Sequence, residues 1–397
     1  MLDGLDESIN QEMMHEFITE SSQFYEESTF VVLSREEGKE ILRGIRDPMI
    51  EFSLEKFDNQ QCKQFVDKFP FSGKDKANKR VKLSTQLENN FVIKATFSIP
   101  INAVMICRLF DDINFDGVVQ SNIDMLKKLL ALTTKAGMEK EISQKLETCK
   151  SRERRQSLAR EKRNLVKTSI NDVLSSKRHM LVKLGHAVFN CNGHSLIGFQ
   201  RISQRRLEEE LRLLDLTDDE ISVALKLDIF EKIIEGEREM LHFYHRNIRE
   251  LIVCLFAAQE DATLTPQDEK SNLKDAHISV FRCAVALILE DQDKDPIKIK
   301  EKLLNVLKHI VSSCTRVDEW RLLMLIVEIF HLAWAMAELK VALHEIIMTF
   351  VAMAKERSFK INLDLVKAIE DGYLYTVANE HDINCQNCSF AKGGCFW

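Results

Sequence analysis

Apolar residues recur at helical spacing through most of the second half of the chain. Leu207, Leu211 and Leu214 fall on one helix face. Thr217 followed by Glu220 has the form of a capping box, in which hydroxyl and carboxylate each satisfy a free backbone N–H. It predicts a second helix through Ile234. A third helix, carrying Met240, Tyr244, Ile248, Leu251, Ile252 and Leu255, stops before a polar stretch at 259–275. Further helices are predicted at about 276–290, from Pro296 to about 312, at about 318–338, onward to about 355, and at about 363–378. Their starts recur at roughly 21-residue intervals, the scale of HEAT-like arrays in which helix pairs stack on their neighbours. No repeated signature accompanies the spacing, and a helical bundle explains it equally well.

The N-terminal third is mixed. Residues 7–28 predict an acidic helix and residues 30–33 a short strand. Ser34 and Glu37 form a capping box that opens a helix through Ile45, before Asp47 and Pro48. Between 81 and 97, Val81, Leu83, Phe91, Ile93, Ala95 and Phe97 largely alternate with polar residues, which predicts one or two strands around residues 88–90. The polar stretch 69–80 reads as an exposed loop flanked by aromatics. The fold class expected is therefore mainly α: a small α+β unit at 1–148, a basic helical linker at 149–197, a helical bundle or irregular HEAT-like array at 198–380, and a Cys-rich tail at 381–397.

Composition supports that outline. In 397 residues, 45% are apolar and 29% charged, enough apolar surface to fold, while only 13 Gly and 5 Pro leave few sites for the tight turns of an all-β protein. A net charge of −7 gives the whole surface no attraction for nucleic acid or anionic lipid, so such a partner would need a local patch. The most apolar run, residues 322–337, spans 16 residues and includes Glu328 and His331, whereas a membrane-crossing helix needs about 20 apolar ones. No transmembrane segment is expected. The acidic first residues predict no secretory leader, and Cys62, Cys107, Cys149, Cys191, Cys254, Cys283 and Cys314 are scattered singly, as in a reducing compartment. The expected location is the cytoplasm, with the nucleus as a second site.

Four patterns could carry chemistry. Asp112, Asn114 and Asp116 stand at positions 1, 3 and 5 of a stretch that resembles an EF-hand calcium loop, with Gly117 at the turn and Val119 at the apolar eighth place. Ile123 stands where the twelfth-position Glu would complete the shell. His381, Cys385, Cys388 and Cys395 supply four zinc-ligand types within a short tail. The last five residues, 393–397, also resemble the nucleophile segment of peptide methionine sulfoxide reductases. That family places an α/β catalytic domain after the segment, whereas the present sequence stops at it. Glu239 with His242 and Glu328 with His331 are E-x-x-H pairs on predicted helices, the pattern of di-iron carboxylate bundles. Glu12 and His15 show that such pairs also arise by chance.

The fourth pattern is the strongest. From 150 to 183 basic residues dominate without Gly or Pro, and Arg152, Arg154, Arg155, Arg160, Lys162 and Arg163 form two clusters. Arg154, Arg155, Ser157 and Leu158 together resemble a substrate of basophilic kinases, so Ser157 is a candidate for regulatory phosphorylation. The segment could contact nucleic acid or an anionic membrane, although it lacks aromatics to stack on bases. No phosphate loop, dinucleotide fingerprint or nucleophile elbow is present. The expectation is a non-enzymatic scaffold or adaptor that binds a protein partner through its helical C-terminal domain. A di-iron enzyme and a calcium-responsive regulator are the alternatives.

Overall fold

The computed structural model describes residues 2–3, 11–24, 32–33, 42, 55–112, 114–115, 117–119, 121–196, 201–227, 229–235, 238–243, 246–259, 262, 264, 275–289, 295–312, 325 and 340–356. The fold is mainly α: the described residues form 14 helices, one pair of very short strands and a three-stranded sheet. They divide into two compact units, 1–119 with 199–201, and the remainder. The basic segment lies wholly in the second.

In the first unit, β1 (Leu2–Asp3) pairs in parallel with β2 (Val32–Leu33), part of the strand expected at 30–33. Ile18 of α1 (Gln11–Phe24) is buried with Met14, Val32 and Leu42 packed against it. The helix expected from Ser34 to Ile45 lies almost wholly outside the described residues. Next come α2 (Asn59–Lys68), α3 (Lys76–Asn89), α4 (Phe91–Phe97) and α5 (Pro100–Asp111). Asp58 and Gln61 close a capping box at the start of α2. Phe65 meets Phe97 edge-on at 6.0 Å, and Leu83, Ile93 and Phe97 are fully buried.

The strands expected between 81 and 97 are instead α3 and α4. The alternation there does not mark one face, because Val81 is 64% exposed while Leu83 is buried. Asn90 makes the break: its Oδ1 accepts from the Ile93 N–H at 3.1 Å and caps α4. The loop expected at 69–80 is likewise only partly a loop. Helix α3 starts at Lys76, and Lys79 is buried, its Nζ 2.7 Å from Asp111 Oδ1 and 3.1 Å from the Ser72 carbonyl. A charge can be buried there because opposite charge and carbonyl oxygens replace its water.

The second unit opens on α6 (Asn122–Thr148), a 27-residue helix capped by Ser121. It continues through α7 (Arg152–Lys167) and α8 (Ile170–Cys191). A turn follows, in which Gly193 and His194 take φ of 65° and 62°, left-handed values that let the chain reverse at once. Strand β3 (Arg201–Ser203), α9 (Gln204–Leu213) and α10 (Asp218–Leu225) come next. Leu207 and Leu211 of α9 are fully buried, and the Thr217–Glu220 capping box forms as read.

Helix α10 stops at Leu225, short of the expected Ile234, because a hairpin follows. Strand β4 (Phe230–Glu235) pairs antiparallel with β5 (Arg238–Phe243) from Phe230↔Phe243 to Glu235↔Arg238, and β3 lies on the other side of β5. The helix expected to start at Met240 therefore starts at Arg246, as α11 (Arg246–Ala257). Gly236 between the apolar stretches 229–234 and 240–243 was the missed hairpin signal.

Helices α12 (Asp275–Leu289), α13 (Pro296–Ser312) and α14 (Lys340–Glu356) match three expected segments. The helices expected at 318–338 and 363–378 lie outside the described residues. The core centres on α8 and α11, which cross so closely that a Cβ on Gly185 would overlap the Ile252 carbonyl. His186 stacks on Phe256 at 4.2 Å beside that crossing. Helices α12, α13 and α14 then pack in sequence, burying Val280, Phe281, Val306, Leu307, Ile347 and Phe350. No helix among the described residues is long and apolar enough to cross a membrane.

Candidate docking surface

The basic segment forms not one helix but two, because Thr168 and Ser169 interrupt it. Ser151 caps α7, its Oγ accepting from the Arg154 N–H at 3.4 Å, and Glu153 complements the helix dipole in the first turn. At the other end Lys135 Nζ donates to the carbonyls of Val166 and Thr168 at 3.1 and 3.3 Å, satisfying the end of the helix. Ser169 then caps α8 through the Asp172 N–H at 3.1 Å.

Only two side chains of α7 are buried. Leu158 and Leu165, two turns apart, are buried with Ile142 and Val173, and Met138, Leu146 and Cys149 pack around them. The helical repeat of 100° per residue then puts Arg152, Gln156, Arg160, Arg163 and Lys167 on the opposite side, a stripe about 22 Å long. All five are exposed. Seven cations against two acids, Glu153 and Glu161, give α7 a strong positive field. None of the guanidinium groups of Arg152, Arg154, Arg155, Arg160 and Arg163 makes an ion pair among the described residues.

Lys162, counted with these by sequence, is half-buried and donates to Ser143 Oγ at 2.8 Å on α6. Its role is to hold α7 on α6. Sequence reading also passed over Lys150 and Lys167. Lys150 joins Arg152, Arg155, Gln156, Ala159 and Leu146 around a shallow hollow of about 430 Å³ beside the stripe. Helical spacing measured from Leu158 and Leu165 would have identified Lys167.

The other candidate sites fall only partly within the described residues. Asp112 follows α5, and its Oδ1 accepts from the Asn114 N–H at 2.8 Å; Gly117 has φ 83°, as a turn glycine should. Asp116 lies outside the described residues. Glu239 and His242 stand on β5, not on a helix. Three residues apart on a strand, they point to opposite faces and cannot grip one ion. His242 Nδ1 instead lies 3.9 Å from Glu231 across the hairpin. Glu328, His331, His381, Cys385, Cys388 and Cys395 lie outside the described residues. Among the described residues, no three His, Cys, Asp or Glu form a group that could hold a metal.

Cys107, Cys191 and Cys254 are not poised as nucleophiles. Burial, with Asp111 nearby, pushes Cys107 up to about 12, and burial pushes Cys191 up to about 11. Cys254, wholly buried and beside Cys283, is also raised. A thiol so placed stays protonated near neutral pH. No protein-family model matches the chain, and no curated protein matches it.

Proposed function

We propose that the protein is a non-enzymatic adaptor whose α7 docks an acidic segment of a protein partner. The observation that carries this reading is the stripe of Arg152, Arg160, Arg163 and Lys167, set opposite the buried Leu158 and Leu165. Long side chains held on a helix can reach carboxylates along an extended or helical acidic segment, with little reorganisation of the backbone beneath.

The composition of α7 favours protein over the other polyanions. It has no aromatic residue to stack on bases, and Val166 is its only exposed large apolar side chain, too little to anchor a helix in a lipid surface. We place this work in the cytoplasm or nucleus, where singly scattered cysteines stay reduced.

The test uses the full chain and a fluorescein-labelled poly-glutamate peptide, followed by anisotropy at low and high salt. Binding should weaken with salt and fall at least about tenfold in the triple variant Arg152→Glu, Arg160→Glu, Arg163→Glu. Equal binding by that variant, or tighter salt-dependent binding to single-stranded RNA or phosphatidylserine vesicles, would refute the reading.

A further inference from the structure

On α7, Ser157 occupies neither the leucine face nor the centre of the outward stripe. Three residues before and after it stand Arg154 and Arg160, and four before and after stand Glu153 and Glu161. Side chains at these spacings are neighbours on a helix surface. The residue is exposed, and its hydroxyl makes no hydrogen bond among the described residues.

We propose that Ser157 is a phosphorylation site whose phosphate draws Arg154 and Arg160 onto itself and releases an acidic partner from the α7 stripe. The inference rests on the adaptor reading for the release, but not for the modification.

Two features make the serine available to a kinase. Arg154 and Arg155 precede it and Leu158 follows, side chains suited to acidic pockets and one apolar pocket of a basophilic serine kinase. A kinase must also take its substrate extended, so the first turns of α7 have to open. Residues 151–157 are all exposed, and Leu158 is the single buried side chain to be released with them. Leu165 and the Lys162 bond to Ser143 keep the second half of the helix in place. The low-density end of the helix is therefore the end that carries the serine.

The reaction is an ordinary phosphoryl transfer. Ser157 Oγ attacks the γ-phosphorus of ATP, the bond from that phosphorus to the β,γ-bridging oxygen breaks, ADP leaves, and the hydroxyl proton passes to the base of the kinase. The product places close to two negative charges between Arg154 and Arg160. Arg160, a member of the stripe, is then paired within the helix, and the phosphate repels carboxylates approaching Arg163. Glu153 and Glu161, already at hand, add to that repulsion.

The experiment treats the full chain and its Ser157→Ala variant with a basophilic serine kinase and MgATP, maps phosphate by mass spectrometry, and titrates each product with the poly-glutamate peptide. Phosphate should appear on Ser157, and affinity should fall roughly tenfold in the parent while the kinase-treated variant binds as before. If Ser157 stays unmodified in the chain while a free peptide of the same residues is modified, the site is overturned. Modification without any change in affinity overturns the release and leaves the adaptor reading standing. A chain that never bound the peptide, yet is modified at Ser157, overturns the adaptor reading and leaves the modification site standing.

Discussion

Helices α7 and α11 are of similar length and both carry arginines, yet they solve opposite problems. Of the 16 residues of α7, two are buried, and its five arginines are exposed and make no ion pair among the described residues. Of the 12 residues of α11, the ten from Ile248 to Ala257 are all buried, Arg249 and Glu250 among them. The Glu250 carboxylate accepts from Arg246 Nε at 2.6 Å and from Ser279 Oγ at 3.3 Å. Charge on α11 is thus absorbed into the packing, whereas charge on α7 is left over after packing is complete. Residues left over in that sense are the ones available to a partner.

That contrast can be broken at its strongest point first. Glu250→Ala leaves Arg246 and Ser279 without their buried acceptor, and should lower unfolding free energy by about 4 kcal/mol, read by urea denaturation. A loss below about 1 kcal/mol would mean that the α11 network contributes no more than a surface pair. Gly185→Ala should follow at about 3 kcal/mol, because the new methyl meets the Ile252 carbonyl and α8 must shift from α11. Leu158→Ala on α7 should cost about 2 kcal/mol, the low end for a buried leucine, since the site is shallow and can relax. A cost equal to that of Leu251→Ala on α11 would erase the distinction between the helices.

The next test concerns pH. On α6, Glu141 is held below its ordinary value: burial acts to raise it, but hydrogen bonds from Lys226 and Ser222, with Lys145 nearby, outweigh that effect. A depressed carboxylate binds fewer protons in the folded state than in the unfolded one. Its stabilisation is therefore complete above about pH 4.3, the usual Glu value, and is lost as pH falls through the lower folded value. Glu141→Gln should flatten that acid limb of a stability-against-pH curve, by about 1 kcal/mol. An unchanged limb would count against the α6–α10 clamp. The smallest effect on stability is expected from reversing Arg152, Arg160 and Arg163 to Glu. Melting should stay within about 0.5 kcal/mol of the parent while peptide binding is lost, separating docking from folding on one helix.

Much of this was legible one residue at a time. The Thr217 box, Pro296 at a helix start and the basic helix all depend on contacts within a few residues, and those forces act whatever the rest of the chain does. The errors cluster where two local patterns competed. Residues 81–97 alternate well enough to suggest strands, but Ile93, Thr96 and Phe97 are buried together, the i, i+3, i+4 spacing of one helix face. Residues 230–243 are apolar enough to suggest helix, but a hairpin pairs with β3, a strand some thirty residues earlier. The misplaced helix took the Glu239 and His242 pair with it, since their shared face existed only on a helix.

Composition and helical period by themselves determined that this is a mainly helical protein with a basic amphipathic segment, because both follow from backbone hydrogen bonding and the spacing of apolar side chains. Tertiary structure alone decided which cation of that segment bonds to a neighbouring helix. Lys162 and Arg163 are neighbours in sequence and alike in charge. One donates to Ser143 of α6 and the other is exposed, a contact made only when α6 packs against Leu158 and Leu165.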